Sequence, residues 1–317
     1  MNMINMTNDT IINNNDGTVT EADTGTVYAT TRIRSSTVLV CLSVKVWSAE
    51  KTDDDATTVV EEDAGCQSGE AGKFRKVLMK NHVLSEIKKV RQRASLYNKN
   101  MSKPWNDCGE RIMPQIDRLE HKAKVDEFKA EYEALVNTFI NDYAGLIAGE
   151  AHRLQGLFKS HDYPSVAELR EKFSFDCTYT PVPDAGHFLT TMGDEARDEL
   201  IEQFNASTNR RIRNVVKVVA GEFYKNLKHL VERLTDKVSD DGEEKRGRLF
   251  KSLIVNTEAS IASLRKMNIT DDPELFAAAD ELEAVINNTD INELKHSSYA
   301  RQDTKAKVKA IMDKFDF

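Results

Sequence analysis

Two long runs of apolar side chains at near-heptad spacing constrain this chain more than any other feature. Phe128, Tyr132, Leu135, Phe139, Tyr143 and Leu146 recur at steps of three or four, and Leu154 with Leu157 resume the run. That spacing puts them on one face of a helix. It predicts helix from Gln115 to about Phe158, a rod of about 65 Å at 1.5 Å per residue. Gly145 and Gly149 are its weak point, where the rod either kinks or admits a close neighbour. Leu200, Phe204, Ile212, Val215, Val219, Phe223, Leu227, Leu230 and Leu234 draw a second stripe, with caps in Thr191 to Asp194 and an end near Asp241-Gly242. A striped helix must bury its stripe. The fold expected is therefore mainly α with a small antiparallel β element, its amphipathic helices forming an antiparallel coiled-coil-like hairpin or bundle.

The β element has its own signature. Val38, Val40, Leu42, Val44 and Val46 alternate with Leu39, Cys41, Ser43, Lys45 and Trp47, which is the period of a strand. Phe173, Phe175, Cys177 and Tyr179 alternate in the same way before Pro181 and Pro183 stop them. A lone strand is unstable, so residues 38–47 and 173–180 are expected to pair. Between the two strands, Val83, Ile87, Val90, Ala94 and Tyr97 mark a helix, and 98–114 is an interrupted stretch broken by Pro104, Trp105 and Gly109. Ser165 and Glu168 have capping-box spacing for a short helix through Lys172. Further helices are expected over 244–267, from Asp272-Pro273 through Ile286, and as one helix or a pair over 290–316. The domain reading is a disordered tail over 1–33, a helical domain with the small sheet over 34–240, and a C-terminal helical segment over 241–317.

Within the second of these lies a charge reversal. Glu50, Asp53 to Asp55, Glu61 to Asp63 and Glu70 face Lys51 alone; Lys73, Arg75, Lys76, Lys80, Lys88, Lys89, Arg91, Arg93, Lys99 and Lys103 then face Glu86 alone. The acidic stretch 49–70, with its glycines, reads as a flexible linker. The basic stretch, with Tyr97 and Trp105 interleaved, has the composition that holds phosphates and stacks bases. Arg210, Arg211, Arg213 and Lys217 form a second basic cluster. Three readings stand for these cations: a nucleic-acid surface, a surface for an acidic protein, or a face that is solvated or held by the chain's own carboxylates. The net charge of −8 on 317 residues argues against whole-surface binding of nucleic acid.

No phosphate loop, dinucleotide fingerprint, nucleophile elbow or His-Glu-x-x-His motif occurs. Cys41, Cys66, Cys108 and Cys177 lie far apart and read as free thiols of a reducing compartment. His161-Asp162 suggests a metal-dependent hydrolase, but only His121 and His152 are available upstream to complete it. A surface turn before Tyr163-Pro164 is the simpler reading. No catalytic residue, metal or cofactor is expected. The opening residues lack the charge and apolar run of a secretory signal, and Val38 to Val46 is far short of the roughly 20 apolar residues of a spanning helix. The expected location is the cytoplasm, with no membrane association.

Three segments, Leu42-Ser43-Val44-Lys45-Val46-Trp47-Ser48-Ala49-Glu50-Lys51, Lys103-Pro104-Trp105-Asn106-Asp107-Cys108-Gly109-Glu110-Arg111-Ile112-Met113-Pro114, and Tyr163-Pro164-Ser165 through Arg170-Glu171-Lys172-Phe173 to Pro181-Val182-Pro183-Asp184, carry a resemblance. They resemble a family of bacteriophage-encoded proteins of unknown function over roughly residues 36–235. The resemblance implies a phage origin, a host cytoplasm, and a genomic association with a MoxR-like or cobalt-chelatase-like AAA+ ATPase and a von Willebrand A-type protein. It carries no catalytic residue. The leading expectation is a non-enzymatic helical adaptor or scaffold that binds other proteins, including an AAA+ ATPase, with homo-oligomers open to it. The alternative is a nucleic-acid-binding accessory protein for phage DNA replication or packaging, and the third is the hydrolase at His161 and Asp162.

Overall fold

In chain order the elements are β1 (Thr37–Lys45), β2 (Glu50–Thr52), α1 (Asp54–Ala64), β3 (Arg75–Val77), α2 (His82–Met101), β4 (Lys103–Pro104), β5 (Arg111–Pro114), α3 (Arg118–Leu154), α4 (Val166–Glu171), β6 (Ser174–Thr180), α5 (Asp194–Leu234), β7 (Lys237–Val238), β8 (Glu244–Lys245), α6 (Lys251–Met267), α7 (Pro273–Asn287), α8 (Ile291–His296) and α9 (Ser298–Met312). This computed structural model describes residues 33, 35–183, 194–235, 237–238, 244–245, 251–270 and 272–314. The fold is mainly α with small β elements. The largest sheet has the strand order β4-β5-β1-β6, so the two strands read from sequence alternation are neighbours. β2 pairs antiparallel with β3, and β4 with β5. Among the described residues no helix is long and apolar enough to cross a membrane.

The chain divides into two units. One comprises Val40–Met101 and Asp117–Tyr179. Here α3 buries Phe128, Tyr132, Phe139 and Tyr143 as its spacing predicts, and its companion is α2, through Leu84, Ile87, Val90 and Ala94. Trp47 closes one end of this core edge-on to Tyr143, with ring centroids 5.9 Å apart. Two expectations are corrected in this unit. α3 runs without a break through Gly145 and Gly149, and a Cβ added at either would meet nothing within 4 Å. The glycines therefore neither end the helix nor admit a close neighbour.

The second correction concerns 49–70, which is not a linker. It holds β2 and α1. Asp53 caps α1 by accepting from the Ala56 N–H, and left-handed Gly65 ends it by donating to the Glu61 and Glu62 carbonyls. Buried Glu61 accepts from the Gly69 N–H at 2.6 Å. Asp54 and Asp55 in the first turn complement the helix dipole. Caps and tertiary ties thus order a segment whose composition looks solvated.

The other unit takes in the described residues through Leu39, Ser102–Ile116, and those from Thr180 on. α5 buries Ile212, Val215, Val219, Phe223, Leu227, Leu230 and Leu234 against α6 and α9, and α7 packs on α6 and α9 in turn. Because the helices after 240 share this core with α5, the units do not divide the chain at 240–241. The two long stripes likewise serve two different cores, one in each unit, in place of a common hairpin. α5 ends at Leu234, short of the expected 241, and Glu244–Lys245 pairs with Lys237–Val238 as a short ladder where helix was expected. The interrupted stretch 98–114 proves to be the β4–β5 hairpin. Its turn is built on Asn106, whose Oδ1 accepts from the N–H groups of Cys108 and Glu110, with Gly109 at positive φ. The terminal helix is a pair, α8 and α9. The tail expected over 1–33, apart from Ile33, and the caps at 191–193 lie outside the described residues.

Candidate interaction surface

The basic stretch splits between interior and surface. Lys76, on β3, is 2% exposed and its ammonium donates to Asp53 Oδ2 at 2.6 Å and to the Leu157 carbonyl at 2.8 Å. It also stands 2.6 Å from Asp162 Oδ2. Lys51 and Lys159 extend the network to Asp162 and Asp53, at 2.7 and 3.3 Å. The hydrogen bond from Lys76 holds the Asp53 carboxyl down to about 2 against the opposing effect of burial, with help from the Ala56 N–H and Lys159. Burial opposes the charge on Lys76, yet Asp162 and Asp53 keep its pKa above the ordinary lysine value. Burial would likewise raise Asp162, but the hydrogen bonds from Lys51 and Lys76 outweigh it. These groups are charged, paired and enclosed.

The other candidates fall as follows. Lys73 and Lys80 are exposed, and the Lys80 N–H donates to Glu150. Arg75 lies 3.6 Å from Glu50, Lys89 2.7 Å from Glu86, and Arg93 2.5 Å from Glu131 with its guanidinium over the Phe128 ring. Lys88 reaches the Ser48 carbonyl at 3.2 Å. Arg91 is exposed and has no ion-pair partner among the described residues. In the other unit Arg211 lies over the Trp105 ring at 5.9 Å, while Arg210, Arg213 and Lys217 are exposed at helical spacing along α5. The eight candidates of the first unit are thus divided between interior and surface, and the four on α5 belong to the other unit.

Tyr97 and Trp105, the aromatics interleaved with these cations, both face inward. Tyr97 stacks on His121 with centroids 5.5 Å apart, and Trp105 is 3% exposed. His121 is itself fully buried: Nε2 donates to Asn98 Oδ1 at 3.1 Å, so Nδ1 accepts from the Tyr179 hydroxyl at 2.7 Å. Burial lowers the His121 pKa and favours this neutral tautomer. Burial also pushes the Cys177 thiol up, away from the reactive thiolate. No sequence pattern announced this chain of polar groups, since its members come from α2, α3 and β6 with no fixed spacing.

His161 is exposed, whereas the Asp162 carboxylate beside it is occupied by Lys51 and Lys76. His152 is exposed and His121 is enclosed with Asn98 and Tyr179. His161 Nε2 lies 3.6 Å from Asp162 Oδ1, but neither His121 nor His152 joins them as a metal-ligand set. Among the described residues no three His, Cys, Asp or Glu side chains converge as metal ligands.

The surface of this unit carries a groove of about 530 Å³ between the Val46–Glu50 turn and α2. Glu50, Lys88, Arg91, Gln92, Ser95 and Lys99 line it, and Leu96, 60% exposed, presents an apolar side chain there. Arg91, Ser95 and Lys99 follow each other at steps of four, so the helix itself sets them in a row. Comparison with protein-family models, curated proteins and solved structures finds no match.

Proposed function

We propose that this protein is a non-enzymatic adaptor or scaffold that binds another protein through the α2 groove. The observation that carries the reading is what the charge reversal leaves outside. Internal carboxylates pair with Arg75, Lys76, Lys89 and Arg93, while Lys88 and Arg91 line the α2 groove beside the apolar Leu96. A mixed cationic and apolar surface suits an acidic protein segment with an apolar side chain, whereas stacking a base needs an outward aromatic face. The inward placement of Tyr97 and Trp105 favours protein over single-stranded nucleic acid. The resemblance to phage proteins makes an AAA+ ATPase of the host cytoplasm the first partner to seek. Capture from the native host tests the reading: a stoichiometric partner should come with the wild type and be lost with Lys88→Glu/Arg91→Glu. Recovery of the protein alone in repeated captures would refute it.

A second reading has its own support. Arg210, Arg213 and Lys217 make an exposed row on α5 with no ion pair among the described residues. A row of cations along a helix can track a phosphate backbone, and each phosphate neutralised steepens the salt dependence. A mobility shift with single- and double-stranded DNA across a salt series measures this. Binding that weakens steeply with salt and disappears with charge reversal at these three residues supports an accessory role in phage DNA replication or packaging. No shift at low salt removes it.

A further inference from the structure

We propose that the α2 groove receives helix α1 of a second copy of this chain. The proposal rests on the reading of α2 as a protein-binding surface and names the protein bound.

The chain carries the complement of its own groove. On α1, Val59 is 62% exposed, and Glu62 and Asp63 follow it at i+3 and i+4 on the same helix face. Both carboxylates are exposed and neither has an ion-pair partner among the described residues. The groove presents the opposite set: Lys88 and Arg91 beside exposed Leu96, while Glu50, which also lines it, lies 3.6 Å from Arg75. Acid would meet base, and Val59 would meet Leu96.

Within one protomer this pairing is not made. Asp53 and Asp55 tie the start of α1 to Lys76 and Lys159, and Val59, Glu62 and Asp63 stay exposed. The acidic and basic blocks thus meet internally at one end of α1 and leave a matched pair of surfaces for another molecule. A two-fold arrangement forms the contact twice, each copy giving its helix and receiving its partner's. Because the charges lie at the surface, the contact weakens with salt.

The test is size-exclusion chromatography with light scattering on the full chain, at low ionic strength and rising concentration. The expected result is a mass above that of one protomer, falling back as salt is added. Glu62→Lys/Asp63→Lys and Lys88→Glu/Arg91→Glu should each run as a protomer with an unchanged circular dichroism spectrum. An equimolar mixture of the two should regain the larger mass, because reversed helix and reversed groove are again complementary. Leu96→Ser should weaken association roughly tenfold, as withdrawal of one part-buried leucine does. A wild-type chain of protomer mass at every concentration, or charge variants that associate as the wild type does, overturns the proposal. If the wild type is a protomer and yet loses its cellular partner with Lys88→Glu/Arg91→Glu, self-pairing fails while the protein-binding surface stands. If that capture is also unchanged, both fail.

Discussion

At the scale of single residues, the enclosed charge of Lys76 decides most about the first unit. Its ammonium joins β3 to Asp53 at the start of α1, to the Leu157 carbonyl beyond α3, and to Asp162. Lys76→Met would leave two buried carboxylates facing each other, and removing one partner of a buried pair costs about 3–5 kcal/mol. Lys51 and Lys159 still reach those carboxylates, so the expected loss is about 3 kcal/mol, read as a lowered midpoint in urea unfolding. His121 gives a pH dependence. Its folded pKa lies below 6.5, so between that folded value and 6.5 the unfolded chain binds the extra proton. Stability should therefore be fully present above 6.5 and fall as the pH drops through this window. His121→Gln, which cannot take up that proton, should flatten the dependence, as thermal midpoints measured across the window will show. Neither role was legible in the sequence. The run Lys73 to Lys103 looks like ten equivalent surface cations, and burial is fixed by where β2 pairs with β3, a long-range fact that local pattern does not encode.

At the scale of elements, the apolar periods of α2, α3 and α5 were legible because a helix that buries one face writes the period of that face into the chain. β1 and β6 were legible for the same reason at period two. α1 was not. Its stability comes from the Asp53 cap, the Gly65 turn and ties to Lys76 and Lys159, while its own valines at 59 and 60 stay exposed. An acidic, glycine-flanked stretch without a buried stripe resembles a linker until its partners are known. The glycines of α3 allow a direct check. With open space around both, Gly145→Ala and Gly149→Ala should each stabilise by about 0.5–1 kcal/mol through the lower entropy of the unfolded chain. A urea titration of each variant measures it, and destabilisation would show that a neighbour needs the room.

At the scale of the whole molecule, two long helices each anchor a core of their own, and the proposed protein-binding surface is the groove on α2 that Lys88 and Arg91 line. Its residues Lys88 and Arg91 were named by the sequence, because a basic block is visible there. Leu96 was not, because an apolar residue off the buried stripe looks like noise until its exposure is seen. A photo-cross-linking amino acid at Leu96 tests the central claim most directly, with one at Val255, 52% exposed on α6, as the control. Irradiation in host cells should give a discrete protein adduct from position 96, absent from position 255, and mass spectrometry will tell a second copy from another protein. No protein adduct at 96, or equal adducts at both positions, would contradict the account.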